Sequence, residues 1–139
     1  MRFVLDASVA LCWCLDYQAT AQADDILRGL AAGDEAEVSF VWPLEVTNAL
    51  LNAERRDGLP QSEASDFLRR LDAFSISVDR EGISHSFGRT VAIARERRLS
   101  SYDASYLELA MRTRLPLATL DSGLRRASIM AGVKVIPDL

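Results

Sequence analysis

Hydrophobic and polar positions along the chain alternate between two rhythms. Apolar runs of strand length, Arg2–Leu5, Glu37–Val41, Ser75–Val78, Leu117–Leu120 and Val133–Ile136, are separated by longer stretches with helical spacing. Ala23, Ile26, Leu27 and Leu30 form the i, i+3, i+4, i+7 stripe of a helix over Thr20–Leu30, stopped by Gly33. Val46, Ala49, Leu50 and Ala53 form another, begun at Pro43, ended near Gly58 and carrying Glu45 in its first turn. Further helices are predicted over Ala7–Leu15, Gln61–Phe74 (Ala64, Phe67, Leu68 and Leu71 inward), residues 82–98 (Phe87, Val91 and Ala94 inward), Ser101–Arg114 and Ser122–Ala131. Strands alternating with helices predict an α/β fold: one domain over residues 1–139, with a central parallel sheet of about five short strands flanked by helices.

Composition supports a folded chain. Its 139 residues, 49% apolar and 26% charged, suffice for one core and lie far from the disordered regime. The longest uncharged apolar run, Ala7–Leu15, is far shorter than the ~20 residues that span a bilayer, and no basic n-region opens the chain, so no membrane association and a cytoplasmic location are expected. A net charge of -4 excludes a uniformly basic nucleic-acid coat. Cys12 and Cys14, two apart on a predicted helix, point to different sides and read as two buried thiols rather than a disulfide. With His85 the single histidine, a zinc site is not expected.

Candidate chemistry lies in four acids, Asp6, Glu45, Asp103 and Asp121, each placed where a strand or turn gives way to a helix. Singly, each has a structural explanation: Asp6 and Asp121 as N-caps, Asp103 in a capping box with Ser100, Glu45 as a first-turn acid facing the helix dipole. Asp103 resists this, because i+3, i+4 and i+7 from it reach Tyr106, Leu107 and Ala110, along the apolar stripe. Glu45 shares an edge of its helix with Asn48 and Asn52, a polar strip suited to lining a wet cleft. In a parallel sheet the strand ends that precede helices lie on one side, so the acids are expected to meet there. No basic residue stands within three positions of any of them, and oxygen donors without His or Cys suit Mg²⁺, with Mn²⁺ an alternative. The chemistry that follows is metal-activated water attacking phosphorus.

The segments Val4–Leu11 (VLDASVAL), Glu45–Leu50 (EVTNAL), Tyr102–Ala110 (YDASYLELA) and Ala118–Leu124 (ATLDSGL) together resemble the PIN-domain proteins of the VapC toxin family, in order and over essentially the whole chain. The resemblance implies a Mg²⁺-dependent endoribonuclease, the toxin of a toxin-antitoxin pair, restrained by a VapB-type antitoxin and assembled as a homodimer. Asp6, Glu45, Asp103 and Asp121 match the family's acidic quartet, with Asp6, Asp103 and Asp121 as metal ligands and Glu45 as a further ligand or positioner of the attacking water. Ser8 and Thr119 match hydroxyl positions that orient the acids, and Asn48 joins them in a supporting role. The segment around Cys12 and Cys14 and the closeness of Trp42–Pro43 to Glu45 depart from the family pattern without touching an acid.

An acidic pocket repels RNA, so cationic side chains are expected at its rim. Arg55, Arg56, Arg95, Arg97 and Arg98 are the candidates, although solvated helix ends favoured by the C-terminal dipole are the better explanation for most of them. The helices bearing Ala23, Ile26 and Leu27, or Phe67 and Leu71, are candidate docking faces for the antitoxin or a second copy. Alternative readings are a structure-specific DNA nuclease of the same fold and, more remotely, a receiver-like phospho-accepting module with Lys134 before Pro137; a receiver needs paired acids after its first strand, where Asp6 stands alone. An inert binding module has no use for the complete quartet.

Overall fold

The computed structural model describes residues 1–139. Strand β1 (Arg2–Leu5) lies at the centre of a five-stranded sheet, and Phe3, Val4 and Leu5 are fully buried, as expected of a strand covered on both faces. It pairs in parallel with β2 (Glu35–Val38) on one side and β4 (Leu117–Ala118) on the other. Strand β3 (Ser75–Val78) joins β2 and β5 (Val135–Ile136) joins β4, giving the all-parallel order β3-β2-β1-β4-β5. Of the two edge strands, β3 is mostly exposed, whereas β5 keeps Val135 buried.

Seven α-helices connect these strands: α1 (Ala7–Leu11), α2 (Ala21–Ala31), α3 (Trp42–Arg56), α4 (Gln61–Leu71), α5 (Val91–Arg97), α6 (Ser101–Thr113) and α7 (Ser122–Met130). The chain winds outward from β1 to β3, then crosses back to build β4 and β5 on the other side. That reversal between β1 and β4 is a topological switch point, where connections diverge and leave a crevice beyond the carboxyl ends of the strands. Helix α6 packs against both β1 and β4, with Ala104 through Ala110 all buried. Two anchors fix it. The Ser39 and Ser105 hydroxyls hydrogen-bond at 2.6 Å, and Arg112 donates to Glu108 on its own helix and to Asp79 and Glu81 beyond β3. The order also differs from the 2-1-3-4-5 of receiver modules, which removes the phospho-accepting alternative.

Several predicted boundaries are corrected. The helix expected over Ala7–Leu15 ends at Leu11 and tightens into i to i−3 turns, while the Trp13 indole donates to the Ala23 carbonyl at 2.8 Å. A 3-10 turn, Asp16–Gln18, follows. Both cysteines are free as expected, but only Cys12 is buried; Cys14 is partly exposed. Strand β2 begins two residues before the predicted Glu37 and ends at Val38, and Val41 instead caps α3. Leu68, expected inward, is exposed.

The largest correction falls on residues 82–98. A 3-10 segment (Glu81–His85) and a π segment (Ser86–Thr90) precede α5, and Phe87, expected in the core, is 98% exposed. Turns closed by i+3 and i+5 bonds shift the phase of a 3.6-residue stripe, so Thr90 and Ile93 point inward in its place, with Val91 and Ala94 only half-buried.

Candidate active site

Register sets the first acid beside the hydroxyl residue that stands two before Asp121. Leu5 pairs with Ala118, so Asp6 and Thr119 leave adjacent strands side by side at the switch point. Asp6 occupies the N-cap position of α1, but its side chain makes no cap. Its Oδ2 instead accepts from the Thr119 and Ser8 hydroxyls, each at 2.7 Å, and the Ser8 oxygen also receives the Leu120 amide at 3.0 Å. Asp6 is 5% exposed and Thr119 fully buried. Burial holds the Asp6 carboxyl above its ordinary range; the two hydroxyls partly offset this, and the nearby Asp121 reinforces it.

Asp121 does cap α7, its Oδ2 accepting from the Leu124 amide at 2.8 Å, which leaves Oδ1 uncommitted. Asp103 lies in the first turn of α6, where the Ser100 hydroxyl accepts its amide at 3.1 Å. The side chain of Asp103 carries no return bond and projects into the cleft; Tyr106, Leu107 and Ala110 along its stripe are buried. Burial first, then the repulsion of Asp121 and Asp6, pushes its carboxyl up to about 6.

Glu45 enters from the first turn of α3, behind Pro43. Its Oε1 accepts from the Tyr106 hydroxyl, leaving Oε2 open, and its affinity for a proton is raised by burial and by Asp6 and Asp103, against the Tyr106 bond. The Tyr106 phenol, fully buried among these acids, is pushed far above its ordinary range, so it stays a donor.

All four carboxylates line one open cleft of about 440 Å³, together with Ser8, Gln18, Asn48 and Asn52. No basic side chain contributes to the environment of Asp6, Glu45 or Asp103. No three Asp, Glu, Cys or His side chains converge closely enough to form a ready cage for an ion. The donor set nevertheless has the chemistry of a hard-cation site: hard oxygens only, with Glu45 Oε2, Asp121 Oδ1 and both oxygens of Asp103 uncommitted to protein donors.

The candidate arginines are placed differently. Arg55 and Arg56 are exposed at the end of α3, and Arg95 is exposed on α5. Arg97 and Arg98 line, with Arg126, a separate hollow of about 300 Å³ that reaches Gly123, two residues past Asp121. Tyr106 and Gln18 are additions to the site. Tyr106 offered a signal, a hydroxyl at i+3 from Asp103 within an apolar stripe; Gln18 lies in an irregular turn that offers none.

Known proteins bear on this arrangement. Ribonuclease VapC3 of Pyrobaculum aerophilum is 28% identical over 121 residues, spanning 87% of this chain and 90% of that protein. The crystal structure of PAE2754, also from Pyrobaculum aerophilum, matches with a TM-score of 0.67 at 25% identity, covering 98% of this chain and 92% of that one. VapBC2 from Rickettsia felis, solved bound to a promoter DNA fragment, shares the fold at a TM-score of 0.65 and 13% identity, covering 97% of both chains. The PIN-domain family model matches residues 3–130, from the first strand through α7, and by that extent this chain belongs to the PIN-domain family.

Proposed function

We infer that this chain is a divalent-metal-dependent endoribonuclease and the toxin of a toxin-antitoxin pair. One observation carries the reading: four acids from four separate elements share a cleft at the switch point, with no basic side chain to neutralise Asp6, Glu45 or Asp103. Carboxylates alone would repel a phosphodiester, so a cation between them and the substrate is required. Mg²⁺ or Mn²⁺ bound there would supply Lewis acidity to the phosphoryl group and to water.

Asp6, Asp103 and Asp121 would hold the ion. Ser8 and Thr119 fix the Asp6 carboxylate by their two hydrogen bonds, a supporting role that needs no contact with substrate. Glu45, steadied through Oε1 by Tyr106, orients the attacking water with Oε2, and its raised proton affinity suits it to accept the water's proton. The water oxygen bonds to phosphorus as the bond from phosphorus to the 3′ oxygen breaks, and the departing 3′ oxygen takes a proton from solvent in the open cleft, leaving a 5′-phosphate and a 3′-hydroxyl. Arg55, Arg56, Arg95, Arg97 and Arg98 hold the RNA backbone beyond the acids.

The name of the Pyrobaculum relative supports RNA as substrate, and the VapBC2 complex, which shares the fold, supports a VapB-type antitoxin as partner. A small apolar hollow of about 80 Å³ lined by Trp13, Leu27, Phe67 and Phe74 has room for one apolar side chain of an antitoxin helix; Ala23 and Phe67 themselves belong to the core. A homodimer is the form we expect of the free toxin.

Purified protein incubated with matched RNA and DNA in Mg²⁺, with and without EDTA, tests the function. RNA cut to 5′-phosphate ends, blocked by EDTA and abolished in Asp6→Asn and Asp103→Asn, is the expected result. Preferential cutting of DNA would transfer the activity to the DNA-nuclease alternative, and full activity of the folded Asn variants would sink the site assignment.

A further inference from the structure

Three carboxamides share the cleft with the acids: Gln18 from the 3-10 turn and Asn48 and Asn52 from α3. Hydrogen bonds around them, from Tyr17 to Asp57, Thr47 to the Pro43 carbonyl and Tyr106 to Glu45, leave all three unengaged. A solvated helix face carries asparagines too, but this one forms the wall of a concave site.

The cleft side of α3 is zoned. Glu45, Asn48, Ala49 and Asn52 line it at i, i+3, i+4 and i+7, and the same period continues to Arg55 and Arg56 at the exposed end of the helix. At 1.5 Å per residue, Glu45 to Arg56 spans roughly 16 Å. One strip therefore runs from carboxylate through carboxamides to guanidinium, and Ala49 leaves room between the two asparagines. Gln18 belongs to a different segment, which the Tyr17 hydroxyl ties to Asp57 Oδ2 at the end of α3 at 3.3 Å. That tie holds the two segments in relation.

A carboxamide presents an acceptor beside paired donors, the complement of a base edge that presents a donor beside an acceptor. Sequence-specific reading of RNA works on single-stranded segments whose base edges are free. We propose that Gln18, Asn48 and Asn52 form the base-reading subsite of this cleft, selecting the nucleotide beside the scissile phosphate in single-stranded RNA. The proposal rests on the ribonuclease reading, to which it adds the substrate's local sequence.

Two measurements test it. In the first, short RNAs with randomised central positions are cut in Mg²⁺ and their ends sequenced. The wild type should favour particular bases at one or two positions beside the cut, and Asn52→Ala or Gln18→Ala should reduce that preference about tenfold, the loss of one good base contact, while total cutting falls much less. In the second, Asp103→Asn protein, once its loss of cutting is verified, binds fluorescent RNAs of favoured and disfavoured sequence. Adding Asn52→Ala should narrow the difference between them by about the same tenfold.

A flat wild-type profile, or variants that slow every sequence equally and leave the profile unchanged, would overturn the subsite. Selective binding by a wild type that cuts no RNA would remove the ribonuclease reading and keep the subsite. Thermal melting of each variant excludes misfolding as the cause.

Discussion

Replacing Asp103 by Asn should stabilise the metal-free protein while destroying its activity. The Asp103 carboxyl is raised from 3.8 to about 6 by burial and by Asp121 and Asp6, so the folded state binds its proton more tightly than the unfolded chain does. Stability therefore falls as pH rises between those values, and above about 6 the ionised group imposes its full cost. Roughly two pH units at 1.36 kcal/mol each sets an upper bound of about 3 kcal/mol. Asp103 lies in a cleft open to water, and screening there reduces the expected gain to about 1–2 kcal/mol. Asn keeps the shape and removes the charge. Urea unfolding in EDTA at pH 7.5 should place the midpoint of the Asp103→Asn variant about 0.5–1 M above the wild type. At pH 4, where the wild-type carboxyl is largely protonated when folded, most of that gain should vanish. A variant no more stable than the wild type at pH 7.5, or a gain of equal size at both pH values, would refute the electrostatic account of the cleft.

Mg²⁺ should raise the melting temperature of the wild type in a concentration-dependent way and affect Asp103→Asn much less, since a ligand bound only by the folded state stabilises it by mass action. Tyr106→Phe removes the donor that steadies Glu45 and little packing; single-turnover cleavage should fall about tenfold or more, with melting lowered only modestly. Arg112→Met should cost about 3–5 kcal/mol by chemical denaturation, because Glu108, 1% exposed, and Asp79 lose the guanidinium that pairs them. Pairing it with Glu108→Leu should recover much of that loss, and absence of any recovery would show that packing, not the orphaned charge, is responsible.

Sequence alone determined where the five strands and most of the helices fall, though β2 is shifted by two residues and β4 and β5 each keep only two of the four residues predicted. Strand β3 falls where its apolar run predicts, and α2, α3 and α6 where their stripes and caps predict, because a long apolar period and a terminal capping residue act locally. Local rules also had limits. Residues 82–98 carry a helical pattern, yet the 3-10 and π turns that put Phe87 in solvent follow the clamp on this segment's start: Asp79 accepts the Gly82 amide and two nitrogens of Arg112 on α6. Neither Asp79 nor Arg112 lies within the segment.

The acids divide the same way. Their placement at element boundaries is written in the chain, and so is the polar strip of Asn48 and Asn52 beside Glu45. Tertiary structure decided what each acid does with its oxygens. Asp121 caps its helix as local rules expect; Asp6 occupies a cap position but turns to Thr119, more than a hundred residues away, because β1 and β4 are neighbours at the switch point. Tyr106 reads as core and serves Glu45; Gln18 reads as a connector and lines the cleft. Periodicity reports which face of an element avoids water. Which side chains from distant elements meet across a cleft depends on strand order and register, and only the folded chain contains those.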